Sequence, residues 1–517
     1  MYPLAARGTM PPAQPPLVEV FKLFDEDLIS KAFGGEFKHW SRFLMTCTRA
    51  RDFGRLVPFG AEFKLANGVP CAGMIAALNL LTTVPQQPKH FNLKLSKLSI
   101  HVLIQPGQIS SLATLLKNAA GTLQALHLEH TACSSTQLSE LFASLQGCTK
   151  MTNLHLGELA TQYFAAQGNA VSSRFASLAS LSIGGCELSD QDMQNLVRFI
   201  KRNPNLRGVK FNYTTLPGFD ALAKALSSVP SLQTLTFRNV MAHNWNLEAL
   251  ASALSQLFGL LSIDFHGCHM QPAHACPVIE AMRGLPKLQT LGLGSNKLGS
   301  LGAQALARAL QNSPEIRNLY WASAGLRARD VEIIFSAIPT QNLRSLELNH
   351  NTIGEQGGEA LGKALKNCGS LESLGLRHCK IGSKEILNLV VAMGHHCLGL
   401  RRLDLYDNDL GDEGADKVME PLASYRKLVS LDIGDNGIGE SGVCKIASLL
   451  PRFSGLDTLI LSHNIINQAS ARFLTDALDQ CSSLKYVDLS SPSLSREAHE
   501  LFSGRTYTPE FYYDIYQ

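Results

Sequence analysis

Two short windows gather side chains of the kinds that hold metals. The segment HGCHMQPAHAC (266–276) carries His266, Cys268, His269, His274 and Cys276, all zinc-ligand types. His395-His396-Cys397 is the second window. No C-x-x-C pair occurs among the 12 cysteines. GLGSNKLGS (292–300) is glycine-rich, but it lacks the Gly-Lys-Ser/Thr end whose lysine and hydroxyl hold phosphate and Mg²⁺. There is no G-x-S-x-G elbow, H-E-x-x-H helix or kinase set, and nothing in the order of residues fixes a Ser-His-Asp triad. The sequence therefore leads to no catalytic residue, no metal and no cofactor, and the chemistry to seek is recognition.

Recognition residues concentrate between 320 and 488. Tyr320, Glu347, His350, Arg377, His378, Arg402, Asp404, Tyr406, Asp407, Asp432, Asp435, His463, Tyr486 and Asp488 are the candidates. Tyr and Arg are the types enriched where partners bind tightly. The acidic excess at Glu347, Asp404, Asp407, Asp432, Asp435 and Asp488 suits a basic partner surface. The alternative is that these side chains only solvate a polar face. The corresponding earlier positions, such as Ser180, Ser182, Gly184, Gly208 and Thr234, are small and neutral.

The elements that position them follow from a repeat. From about Leu95 a pattern recurs: apolar, two variable, apolar, one variable, apolar. Its central residues run Leu98, Leu126, Leu154, Leu181 and onward to Leu431, Leu459 and Val487, spaced 26–29 residues apart. Alternation along a strand sends Leu346 and Leu348 inward and Ser345 and Glu347 onto the exposed face. Asn351, placed to satisfy backbone groups at the turn off the strand, has equivalents at Cys186, Cys268, Asn296, Cys379, Asn408, Asn436 and Asn464. Gly354 and Gly357 punctuate the turn, and a helix follows with Ala360, Leu361, Ala364 and Leu365 on its inner stripe. In this register Cys268 is a turn residue, His266 lies on the exposed face and Cys276 begins a helix. His395–Cys397 falls in a helix-to-strand loop. Both windows then read as ordinary repeat.

LRSLELNHNTIGEQGGEALGKAL (343–365) and LRRLDLYDNDLGDEGADKV (400–418) resemble leucine-rich repeats of the ribonuclease-inhibitor-like subclass. The resemblance covers about three-quarters of the chain. It implies an α/β fold, a curved right-handed βα solenoid or horseshoe. The parallel sheet lines the concave face and helices line the convex face. Its implied function is a non-enzymatic scaffold that binds a partner protein on the concave face. About fifteen repeats span 95–502, after a connector at 58–94 with a degenerate repeat around Phe63 and Leu65.

Residues 1–16 are Pro-rich and read as a disordered leader. Residues 17–57 read as two helices, and Leu28, Ile29, Phe33, Trp40, Phe43 and Cys47 resemble an F-box in length and rhythm. The opening is Leu23-Phe24 where that family has Leu-Pro, and Ala50 stands where it has Trp. The resemblance implies a Skp-type adaptor as partner and a substrate-choosing role in a cullin ubiquitin ligase. A plain helical cap is the other reading. NKLGSLGAQALARAL (296–310) is similar to GALA-type repeats of bacterial effectors, which would place the protein in a host cell. A regulator of a GTPase, or an enzyme inhibitor, is the alternative class. Tyr507, Phe511, Tyr512, Tyr513 and Tyr516 give 503–517 an aromatic tail fit to cap the last repeat.

Composition narrows the partners. Basic and acidic residues number 46 and 43, a net charge of +3, so no basic field points to nucleic acid. No stretch approaches 18 consecutive apolar residues, which argues against a membrane helix. The N-terminus lacks the apolar core of a Sec signal. Scattered cysteines fit reduced thiols. The expected location is the cytoplasm, or a host cytosol reached by export without a Sec signal.

Overall fold

The computed structural model describes residues 59–65, 93–100, 109–129, 135–167, 175–241, 245–366, 368–394 and 396–490. The leader, the F-box-like segment 17–57 and the tail 503–517 lie outside the described residues, as does His395. The chain divides into two compact units, Met1–Pro217 and Gly218–Gln517.

In unit 1, strands β1 (Phe59–Leu65), β2 (Leu93–Ile100), β3 (Ala125–Leu128), β4 (Asn153–Leu156), β5 (Ser180–Gly184) and β6 (Gly208–Asn212) pair in chain order, all parallel. Unit 2 continues with β7 (Thr234–Arg238), β8 (Ser262–Asp264), β9 (Thr290–Gly292), β10 (Asn318–Tyr320) and β11 (Ser345–Glu347). It ends with β12 (Ser373–Gly375), β13 (Arg402–Asp404), β14 (Ser430–Asp432), β15 (Thr458–Ile460) and β16 (Tyr486–Asp488), again parallel and in chain order. Within each unit parallel neighbours need a crossover, and a helix supplies it between successive strands from β2 to β6 and from β7 to β16. Each unit is an α/β solenoid.

The repeat register holds at every strand from β2 to β16. The central residues are all buried, from Leu98 and Leu126 to Leu459 and Val487. They face one another across the ladder, as with Leu126 and Leu154, or Leu346 and Leu374. Each touches its own kind one strand away, so apolar columns run across the strands of each unit. Aromatic side chains thicken these columns: Tyr163 meets Phe142 and Phe164 edge-on in unit 1, and Phe237 stacks on Phe265 at 5.6 Å in unit 2.

The turn amides bind repeat to repeat. Asn436 Oδ1 accepts from Asn408 N at 2.9 Å, while its Nδ2 donates to Leu405 O at 2.9 Å and Gly434 O at 2.8 Å. Asn464 does the same one strand on, accepting from Asn436 N and Ile438 N at 3.0 Å each. Where cysteine replaces asparagine, the thiol still reaches the carbonyl of the preceding repeat. Cys268 Sγ donates to Phe237 O at 3.1 Å and Cys379 Sγ to Leu348 O at 3.3 Å.

Three expectations need correction. Gly357 is not turn punctuation. It sits inside the helix Gly354–Leu365, buried, where a Cβ would run into Ile353 Cγ2 and lie 3.1 Å from Ala328 Cα. Gly354 alone has the left-handed φ of +63° that the turn requires. Consequently Leu361 and Leu365 are buried, but Ala360 and Ala364 are only half-buried, because Gly357, Gly358 and Gly362 take the closest contacts. Cys276 lies one turn inside its helix, Pro272–Ala281, and donates to Pro272 O at 3.2 Å. Glu347 faces outward along the sheet as expected, yet it is 9% exposed.

Candidate functional site

The face of unit 2 is built from three columns, one residue per repeat in each. The first follows the central residue by one: Asp264, Gly292, Tyr320, Glu347, Gly375, Asp404, Asp432, Ile460 and Asp488. The second follows by three and includes Asn349, Arg377, Tyr406 and Gly434. The third follows by four and includes His350, His378, Asp407, Asp435 and His463. Each residue of this third set has a left-handed backbone, with φ between 49° and 60°. His and Asp tolerate that conformation far better than branched residues. Their amides extend the ladder past the strands, as His350 N donates to Arg377 O at 2.7 Å and Asp407 N to Gly434 O at 3.0 Å. Strands about 4.8 Å apart then bring like positions of adjacent repeats within contact.

Arg377 is the centre of the face. Its Nε donates to Asp404 at 3.1 Å and its Nη2 to Asp432 at 2.7 Å. Its guanidinium carbon lies 4.3 Å from the centroid of the Tyr406 ring, a cation–π contact. Asp404 and Asp432 are buried beneath it, so they do not offer free negative charge to a basic partner. Burial, with Asp404 alongside, pushes Asp432 up to about 7 against the pull of Arg377. Glu347 is likewise pushed to about 7, first by burial and then by Asp404. Its carboxylate accepts from Asn349 at 3.2 Å and fills the space that a Cβ at Gly375 would need. Sequence alternation placed these acids outward correctly. Their burial comes from long neighbours folding over short ones, Arg377 and Tyr406 beside Gly375 and Gly434.

A ring crest stands along the edge of this clamp. His350 stacks on His378 at 4.4 Å, His378 meets Tyr406 edge-on at 5.6 Å, and Tyr406 meets His463 edge-on at 6.5 Å. His378 Nδ1 pairs with Asp407. Tyr406 hydrogen-bonds Asp435, and burial with Asp435 raises its phenol to about 12. Burial, then His378, then Arg377 lowers the pKa of His350. The crest is thus a row of rings in mutual contact beside the Arg377 clamp.

The remaining sequence candidates lie apart from it. Arg402 reaches Ser373 Oγ at 3.5 Å, and Tyr320 is exposed two repeats before Arg377. Asp488 accepts from Ser490 N at 2.9 Å, and Tyr486 is half-buried on the same strand. Of the metal-type window, His266 is half-buried within 3.3 Å of Ser295 Oγ, and Cys268 is occupied in the turn.

Comparison with known proteins fits this geometry. The family described as "Leucine Rich repeat" matches residues 284–307, 341–362, 396–419 and 426–447. The ribonuclease inhibitor of Sus scrofa is 28% identical over 210 residues, 39% of this chain and 45% of the inhibitor. The chain carries leucine-rich repeats, and they are similar to those of ribonuclease inhibitors. Its repeats are also 32% identical, over 180 residues, to NACHT, LRR and PYD domains-containing protein 12 of Homo sapiens, covering 33% of this chain and 16% of that protein. The chain spans less than half the length of either relative. Among solved structures, an internalin from Listeria monocytogenes aligns over 77% of this chain and 81% of its own, at 16% identity and a TM-score of 0.33.

One group on the leucine-rich repeats escaped the sequence reading. In unit 1, His127 Nε2 lies 2.8 Å from Glu129 Oε1, and the His127 and His155 rings lie 3.7 Å apart. His155 Nδ1 is 2.8 Å from Ser182 Oγ. The signal was available: His127, His155 and Ser182 are successive members of the first outward column, and Glu129 belongs to the second. Counting outward positions repeat by repeat would have exposed it.

Proposed function

We propose that this protein is a scaffold that holds a partner protein on the sheet face of unit 2, around Arg377, His378 and Tyr406. The observation that carries this reading is the clamp. Arg377 is fixed by two carboxylates and one ring, so an Arg and a Tyr are presented with little freedom left to lose on binding. Because Asp404 and Asp432 serve this clamp, the surface suits a partner of mixed polar and aromatic character better than a strongly basic one. No helix among the described residues is long and apolar enough to cross a membrane. The nine cysteines described are all free thiols, which supports a reducing compartment.

The test uses the full chain as bait. His378→Ala with Tyr406→Ala removes the crest while leaving the apolar columns intact. The double variant, at unchanged melting temperature, should lose the protein that the parent captures. Equal capture would end the proposal. A finer reading assigns 17–57 to a Skp-type adaptor and the repeats to substrate choice, resting on the F-box resemblance. Adaptor pull-down with and without 17–57 decides it, and no binding by the intact chain removes it. The alternative, an inhibitor of an enzyme, draws support from likeness to the ribonuclease inhibitor and predicts loss of an enzyme's activity on adding the protein.

A further inference from the structure

We propose that His127, Glu129 and His155 bind one divalent transition-metal ion of the zinc class on the sheet face of unit 1. One nitrogen of each imidazole and one oxygen of Glu129 all lie within 4.8 Å of one another. Two histidines and a carboxylate are a zinc-binding set that leaves a coordination position open. Three structural facts favour a site over a chance meeting.

The first is backbone placement. His127 and His155 are direct partners on adjacent parallel strands, β3 and β4, so the ladder fixes their separation. Glu129 stands two residues beyond His127, on the same face. The second is proximity. The two imidazole rings lie 3.7 Å apart, tilted by 32°. The third is orientation. Ser182 Oγ meets His155 Nδ1 at 2.8 Å, the kind of outer partner that fixes a metal-binding ring.

The required movement is small. Ligand atoms about 2.0–2.2 Å from zinc in a tetrahedron lie roughly 3.3 Å apart. The 2.8 Å contact of His127 with Glu129 opens by about half an ångström, and the wider gaps close by about 1.5 Å at most. The His127 and Glu129 side chains are 27% and 31% exposed, at the surface of the face. The ion takes the place of the hydrogen between His127 Nε2 and Glu129 Oε1, and the neutral ring then carries its one proton on Nδ1. Water, or a side chain of a partner, completes the shell.

The experiment titrates the untagged full chain with ZnCl₂ by calorimetry, and with CoCl₂ by visible absorption. The parent should take up one ion per chain, with cobalt bands of a four-coordinate nitrogen–oxygen site. His155→Ala should abolish the bands, and Ser182→Ala should weaken binding about tenfold by freeing the ring. His274→Ala, an exposed histidine of unit 2, should leave zinc uptake unaltered. If His155→Ala fails to fold by circular dichroism, Ser182→Ala carries the test. The proposal is overturned by no uptake in the parent, or by uptake unaltered in a folded His155→Ala or Ser182→Ala chain.

Discussion

Glu347 keeps its carboxyl on the sheet face but out of water, and this should make the protein's stability depend on pH. Its pKa in the folded chain is about 7 because burial and Asp404 disfavour the charge. In the unfolded chain it returns to about 4.3. A raised carboxyl stabilises the fold fully below the unfolded value, and that contribution is lost as pH rises through the folded one. Glu347→Gln should therefore be close to neutral near pH 4.5 and stabilising by about 3 kcal/mol at pH 8. Urea melts at the two pH values check this, and equal effects at both would refute it. Arg377→Met tests the clamp in the opposite sense. It leaves Asp404 and Asp432 buried together without a cation, and should cost on the order of 2 kcal/mol at pH 8. The loss should shrink as pH falls and Asp432 protonates. At this scale the residue types and their outward direction were legible, since alternation requires only the strand. Whether an outward acid is wet or dry depends on the neighbours in other repeats, here Arg377 over Asp404 and Asp432 and Gly375 leaving room for Glu347, and no single repeat carries that information.

Strands, turns and helices answer to different features of the repeat. Leu346→Ala, in an apolar column, should cost about 2–5 kcal/mol, while Ser345→Ala beside it should change stability by less than about 0.5 kcal/mol. Equal shifts in urea melts would break the strand register. Gly357→Ala separates propensity from packing. Alanine is favoured in a helix interior by about 1 kcal/mol, but here its methyl meets Ile353 and the Ala328 backbone. Packing should win, for a net loss of about 1–3 kcal/mol by thermal melt. The strand and the turn amide were readable because both recur with fixed chemistry. The helix interior was misread because glycine ordinarily marks a turn. In Gly354–Leu365 one glycine does so, while the next lets two helices approach.

In a solenoid, stability accumulates between neighbours rather than around one centre. Trp321, fully buried just after β10, offers a local probe in unit 2. Leu346→Ala, one strand away, should move the Trp321 fluorescence transition further than Leu459→Ala, five strands away. Equal shifts would show that unit 2 melts as one body. The period of the repeat made this architecture legible from sequence, and the division into two units at Pro217 falls in its shortest spacing, the 26 residues from Val209 to Leu235. The Asn408–Asn436–Asn464 amide ladder also bears on how such a chain acquires its length. Each amide bonds both its own turn and the copy beside it, so joining Asn408 directly to Gly437 would restore every bond, while a join at an unlike position would strand a donor in the interior. Gene recombination between copies thus yields viable proteins when it is in phase, and the family can lengthen or shorten its grip on a ligand by whole repeats within a single generation.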